Sequence, residues 1–305
     1  MQATSTDKTD ARILRALQRD GRISNAKLAT QVHLSPTAVL ERVRRLTRDG
    51  YILGYQARLN PRKLGAGLLV FVEVLLDRTV AEVMSTFRTA VHERPEILEC
   101  HLVAGGFDYL LKTRVADMHA YRELLASVIW ALPGVRETRT FTAMEETCRH
   151  AGPAAVDEID ARLLRLLQAD GRITNADLAH AVGLSPAAVH ERVRRLIRDD
   201  YILGYEAVLD PAKLGGSMLV FAEVRTVGVG PGTGAAFRTA VQLRDEILEC
   251  HEVAGGFDYL IKTRVPDMRI YRDLVASVVW SLPGVRDVRT YAVIEEVKST
   301  SRIPI

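Results

Sequence analysis

Two kinds of segment in this sequence carry side chains whose types and spacing could do chemistry, and each occurs twice. The first begins at Ser35-Pro36. On a helix advancing about 100° per residue, Val39, Val43 and Leu46 share one stripe, while Thr37, Glu41, Arg44 and Arg48 lie opposite, flanked by Ala38, Arg42 and Arg45. Arginine offers a fork of donors to phosphates and to guanine edges, so such a face suits DNA; a merely solvated helix face is the plainer alternative. The second occurrence presents Ser185, Ala187, Ala188, Glu191, Arg192, Arg194 and Arg195. The other segment is Gly105-Gly106-Phe107-Asp108-Tyr109, repeated as Gly255-Gly256-Phe257-Asp258-Tyr259. Its glycines suit a chain reversal with positive φ and let backbone approach a small ligand, and Asp108 could hold an ammonium group. A hairpin with a satisfied aspartate is the alternative.

Other constellations fail. In Glu99-Cys100-His101 a strand turns Cys100 away from its neighbours, so the three cannot converge locally, and no second His or Cys stands at ligand spacing. Neither a phosphate-cradling Walker loop nor a serine elbow is present, so no catalytic group, metal or cofactor is expected. Trp130 and Trp280 read as core or interface anchors.

These residues need elements to position them. Asp157 is a candidate N-cap for a helix in which Ile159, Leu163, Leu166 and Leu167 recur at helical spacing until Gly171 stops it. Ser24 and Thr174 cap a short second helix, and Ser35-Pro36 and Ser185-Pro186 start a third that runs to about Asp49 and Asp199. Three short helices with a tight turn before an arginine-faced third describe a helix-turn-helix unit. Tyr51 to Tyr55 reads as a strand-like hinge. Strands then follow at Leu68–Leu75, Ile97–Ala104, Tyr109–Val115 and Val135–Glu145, with helices at Val80–Arg94 and Asp117–Leu132. The order βαββαβ is ferredoxin-like and covers one sheet face only, leaving the other to a partner.

From Asp10 to Glu145 the sequence returns, without insertion, 150 residues later. A period this long is a duplicated domain-sized unit, and one polypeptide then holds what would otherwise be two subunits. The fold expected is α+β: two tandem copies of a winged-type helix-turn-helix domain followed by a ferredoxin-like sensor domain. The boundaries expected are 7–55 and 61–148 for the first copy, a linker at 149–156, then 157–205 and 211–298. The net charge of +3 is unevenly spread. The first head, Asp10 to Asn60, holds ten lysines and arginines against four acids, a net of +6; the second, Asp160 to Asp210, holds seven against eight, a net of −1. A basic head suits phosphate binding. Three cysteines make no disulfide framework, no apolar run is long enough to span a bilayer, and the first ten residues lack a signal-peptide core, so a cytoplasmic chain with no membrane partner is expected.

The chain resembles the Lrp/AsnC family of transcription regulators. The resemblance rests on Gln168-Ala169-Asp170-Gly171-Arg172, Leu184-Ser185-Pro186, Glu191-Arg192-Val193-Arg194-Arg195-Leu196, Tyr201-Ile202-Leu203-Gly204-Tyr205, Glu249-Cys250-His251, Gly255-Gly256-Phe257-Asp258-Tyr259 and Leu282-Pro283-Gly284-Val285, nearly all of them present in both copies. It implies sensor domains that pair by their sheets, assemble into higher oligomers, and place the Gly-Gly-Phe-Asp-Tyr segment at an amino-acid effector site. Four departures bear on it. The family's usual subunit is a single repeat; His33 stands where the second copy has Gly183; Thr9 replaces Ile159; and Val227 to Gly234 gives a flexible, glycine-rich entry in place of a helix start.

The function expected is therefore a non-enzymatic regulator that binds double-stranded DNA, answers to an amino acid or similar small effector, and acts as a homo-oligomer of pseudo-dimeric chains. Thr37 against Ala187 and Leu40 against His190 would let the two heads prefer different half-sites. The alternative is a small-molecule-binding assembly module with only the first helix-turn-helix active on DNA.

Overall fold

A computed structural model of the chain describes residues 6–144, 156–227 and 231–305. The chain divides into two compact units, one built from both heads and one from both sensor domains. The expected linker lies outside the described residues except for Val156.

In the first head, α1 (Lys8–Arg19) starts at Asp7, whose carboxylate accepts from Asp10 N while the Asp10 side chain accepts from Asp7 N, a reciprocal cap. Then come α2 (Asn25–Val32), capped by Ser24, α3 (Pro36–Arg48), capped by Ser35 with proline in its first turn, and the strand β1 (Ile52–Leu59). His33 takes the left-handed cap that Gly183 fills in the second copy, as its place in the turn required. Ile13, Leu14, Leu17, Leu28, Val39, Val43 and Leu46 form the core.

The sensor of the first copy contains β2 (Leu68–Leu76), α4 (Ala81–His92), β3 (Ile97–Ala104), β4 (Tyr109–Val115), α5 (Met118–Leu124) and β5 (Val135–Ala143). The second head repeats the first as α6 (Glu158–Ala169), α7 (Asn175–Val182), α8 (Pro186–Arg198) and β6 (Ile202–Leu209). The second sensor contributes β7 (Met218–Thr226), α9 (Pro231–Gln242), β8 (Ile247–Ala254), β9 (Tyr259–Val265), α10 (Met268–Ser277) and β10 (Val285–Ser299).

Several local expectations are corrected. Tyr51 to Tyr55 opens a longer strand than expected: β1 runs eight residues and pairs antiparallel with β6, with Gln56 opposite Glu206 and Tyr55 opposite Ala207. Its partner edge comes from the other copy, so no local pattern announces it. In α6 the buried residues are Asp160, Leu163, Leu164, Leu167 and Gln168, while Ile159 and Leu166 are half-buried. Thr9 and Ile159 thus sit alike, half-buried at the core margin. The helix expected from Asp117 to Leu132 stops at Leu124 and continues as a π-helical turn, Leu125–Ile129. The glycine-rich run of the second copy does not delay its helix: α9 starts at Pro231, whose fixed φ suits a first turn, while 228–230 lie outside the described residues. Trp130 and Trp280 are no core anchors; both are exposed, and the Trp130 indole N–H donates to Thr138 Oγ1 at 3.2 Å.

The heads dock reciprocally within their unit. Gly21 N donates to Tyr205 O and Gly171 N to Tyr55 O, each at 2.7 Å. A Cβ on Gly21 would stand 2.9 Å from Glu206 backbone, and one on Gly171 2.7 Å from Gln56 backbone. Gly171 is therefore needed for a close backbone approach to the other copy as well as for stopping a helix. The Arg22 and Arg172 guanidinium groups lie 3.9 and 3.6 Å over the Tyr205 and Tyr55 rings.

In the sensor unit each copy forms the ferredoxin-like sheet, in the order β3-β4-β2-β5 and its repeat. The two sheets join edge to edge into a closed barrel, β10-β3-β4-β2-β5-β8-β9-β7. Closure leaves no free strand edge. Strand alternation separates the cores: Val70, Val72 and Val74 face the helices, whereas Leu69 and Phe71 meet Leu219, Phe221 and Leu260 between the sheets.

Candidate DNA-binding face and effector pocket

Ser35 fixes the start of α3 by accepting from Ala38 N at 3.2 Å, and Ser185 does the same for Ala188 N in α8. Thr37, Glu41, Arg44 and Arg48 are exposed, as are Ala187, Glu191, Arg194 and Arg198; Ala38 and Ala188 are half-buried. Arg44 leans on Glu41 at 3.0 Å, but both side chains are about two-thirds exposed. So loose a pair contributes little and exchanges readily for a phosphate.

Arg42 and Arg45 are placed otherwise than expected. Arg42 binds Asp7 at 2.6 Å and Asp10 at 2.8 Å, and Arg45 binds Asp10 at 2.5 Å. Asp10 is buried, so two guanidinium groups neutralise it and clamp α3 onto the start of α1. The hydrogen bond from Arg42 holds the Asp7 carboxyl below its ordinary range. Arg192 and Arg195 repeat the clamp on Asp157 and Asp160. These four arginines clamp α3 and α8 onto the starts of α1 and α6, whereas the row at Arg44, Arg48, Arg194 and Arg198 stays exposed.

The hairpin segment divides. A cavity of about 340 Å³ is lined by Gly105, Gly106, Phe107 and Asp108 from the β3–β4 hairpin, Leu75 and Leu76 at the end of β2, Asp77, Arg78 and Thr79 after it, and Arg136 of β5. Tyr109 is absent from that lining; its ring is buried on the helix side, stacked on Phe87 with centroids 4.4 Å apart. Tyr259 stacks likewise on Phe237. Asp108 accepts from Leu76 N at 2.7 Å and ties the two loops together, so one carboxylate oxygen is already used. Asp258 accepts from both the amide and the hydroxyl of Thr226.

Gly105 does not take the positive φ expected of a residue at the chain reversal. Its Cβ would meet the Tyr291 ring at 2.6 Å, and one on Gly255 would meet the Phe141 ring at 2.5 Å. The glycines make room for an aromatic side chain of the other copy, which packs at a tilt against Phe107 or Phe257 with centroids 4.7 Å apart.

Between the sheets lies a network that local reading missed. Lys112 Nζ donates to Glu99 at 2.9 Å and to Glu249 at 2.6 Å, and Lys262 Nζ to Glu99 at 2.6 Å and to Glu249 at 3.0 Å. His101 and His251 each reach the glutamate two residues earlier, at 2.8 and 2.9 Å. Glu99 is buried, which alone would raise its carboxyl, yet the His101 hydrogen bond and both lysines bring it down to about 2. Cys100 faces the opposite core, and burial pushes its thiol far above the ordinary range. The alternation of Glu99, Cys100 and His101 was the visible clue; the lysines come from another strand and the other copy. Nearby, burial and the apposed Glu223 carboxyl raise Glu73 to about 7. Burial also raises Glu223, the same position in the second copy.

Two heads of helix-turn-helix type and two ferredoxin-like sensor-type domains define a transcription regulator as the class. The Lrp/AsnC ligand binding domain family matches residues 69–153 and 219–303. The AsnC-type helix-turn-helix domain matches 156–197, and a winged helix-turn-helix DNA-binding family matches 6–52. The chain belongs to the Lrp/AsnC family. It is 59% identical over 140 residues to the leucine-responsive regulatory proteins of Escherichia coli K12 and of Serratia marcescens, alignments that cover 46% of this chain and 85% of each relative. A siroheme decarboxylase structure, NirDL, covers 96% of this chain and 93% of its own at a TM-score of 0.67 with 12% identity, which shows a shared fold.

Proposed function

We propose that this chain is a cytoplasmic, non-enzymatic transcription regulator in which one polypeptide acts as a dimer and an amino acid or similar small effector controls DNA binding. The observation that carries this reading is the pairing of β1 with β6, which puts two arginine-faced recognition helices, α3 and α8, into one head unit. Base and phosphate contacts fall to Thr37, Glu41, Arg44 and Arg48 and to Ala187, Glu191, Arg194 and Arg198, with Ser35 and Ser185 at the helix starts. The domain division at 7–55, 61–148, 157–205 and 211–298 belongs to the same reading, as do the 149–156 linker and assembly of pseudo-dimeric chains into homo-oligomers. Effector bound at the hairpin that contains Gly105 to Asp108 would change how chains assemble and thereby how they engage an operator. Joining the copies makes their pairing intramolecular, so the pair persists at low concentration.

A DNase footprint upstream of the chain's own gene, with and without a pool of amino acids, tests this. Two protected half-sites whose pattern changes with the pool are expected. Protection of one half-site per chain would replace this reading with the single-head assembly module, and protection indifferent to every amino acid would remove the effector role.

A further inference from the structure

The two sensors are close copies in their strands but not around the cavity. In the first, Asp77 and Arg78 follow β2, and Arg136 starts the matching rim on β5; all three are exposed at the cavity beside Asp108. Arg78 and Arg136 have no carboxylate partner among the described residues. The rim therefore carries two positive and two negative groups around a space at the small end of ligand-binding cavities. That pattern is complementary to a small zwitterion. A planar guanidinium binds a carboxylate in fork geometry, and a second one strengthens the hold.

The second copy keeps little of this. Val227 stands in place of Asp77, Gly228 in place of Arg78 and Arg225 in place of Leu75; only Asp258 and Arg286 remain of the four charges. Asp258 is more fully engaged than Asp108, because the Thr226 hydroxyl adds a bond that Leu76 cannot make. Burial raises the Glu223 carboxyl, and the charge of Arg225 offsets only a small part of that rise.

We infer that the chain has one effector site and not two: the first sensor takes a free α-amino acid, its carboxylate held by Arg78 and Arg136 and its ammonium facing Asp77, and the second sensor is a structural partner. This rests on the sensor role proposed above. Within one chain the response is then a single binding step, without cooperation between two equal sites.

Isothermal titration of the full chain with the proteinogenic L-amino acids, one at a time, tests it. The expected result is one molecule bound per chain, a Kd raised at least tenfold by Arg78→Ala and by Arg136→Ala, and no change with Arg286→Ala. The α-amide of the amino acid that binds, which lacks the carboxylate charge, should lose affinity for the unaltered chain and little further affinity for Arg78→Ala. Unfolding curves of the variants should superimpose on that of the parent, since these side chains are exposed. Two molecules per chain, or a Kd indifferent to both arginines, overturns the inference while leaving the sensor role intact. Heat from none of the amino acids overturns both.

Discussion

The heads and the sensors are both pairs of repeats, yet the pairs are held by different chemistry. In the head unit the copies meet largely through backbone: the β1–β6 ribbon, two reciprocal amide bonds at Gly21 and Gly171, and glycines that let backbones touch, with Arg22 and Arg172 the matched side chains that cross. Such contacts ask little of side chains elsewhere. The heads have accordingly drifted to net charges of +6 and −1, and Gln56 now donates to Glu206 across the ribbon at 2.9 Å where identical subunits would place like against like. In the sensor unit the copies also pair by backbone, β3 with β10 and β5 with β8, but between the sheets they meet through buried charged side chains, and a buried charge tolerates no partner but the right one. Glu73, Glu99, His101 and Lys112 each have the same residue type 150 positions on, and divergence is pushed outward to the cavity rim after β2 and β7. A fused pair is thus free to become unequal wherever its joint does not depend on side chains.

The sharpest way to break this comparison is at the sensor joint. Lys262→Met leaves Glu99 and Glu249 short of a buried cation, and a loss of about 3–5 kcal/mol in denaturant unfolding is expected; a loss no larger than for an exposed arginine would mean the network is dispensable. Next comes the head joint. Gly171→Ala forces a Cβ against Gln56 backbone, which should cost about 1–3 kcal/mol and raise the protease sensitivity of the heads, while Gly183→Ala, with open space around it but a positive φ, reports backbone strain alone.

The third prediction concerns pH. Glu73 has its folded-state pKa raised from 4.5 to about 7, so the folded chain keeps a proton that the unfolded chain releases. Stability from this group is full below about 4.5 and is lost as pH rises towards about 7. Glu73→Gln should flatten that limb of the stability profile and stabilise the protein at pH 8 by about 1–3 kcal/mol. Glu99 works in the other direction: its pKa is depressed, so its contribution is present above the ordinary carboxylate range and is lost as pH falls towards about 2. A stability curve unchanged between pH 5 and 8 in both parent and variant would show that the paired carboxylates share no proton.

The smallest expected effect tests how unequal the heads are. Arg44→Ala should reduce the slope of log affinity against log salt by about 1, and Arg194→Ala by less, because the more basic head supplies most phosphate contacts. A greater loss from the second substitution would reverse the ranking of the heads.

Much of this was legible in one dimension. The capping serines, the proline in the first turn, the stripe of Val39, Val43 and Leu46 and the left-handed position of His33 are local facts, set by hydrogen bonding and sterics within a few residues. So were the strand order of the sensors and the duplication itself. The chain by its sequence alone determined which elements form, which face of α3 carries charge, and that two full units are present. Only the tertiary structure decided which arginines are available. Arg42 and Arg45 look like Arg44 on a helical wheel, but α1 brings Asp7 and Asp10 beneath them. The same holds for β1, for Gly105 and for the Glu99–Lys262 network: each is satisfied by a group of the other copy, and through-space pairing between copies leaves no periodic trace in the sequence of either.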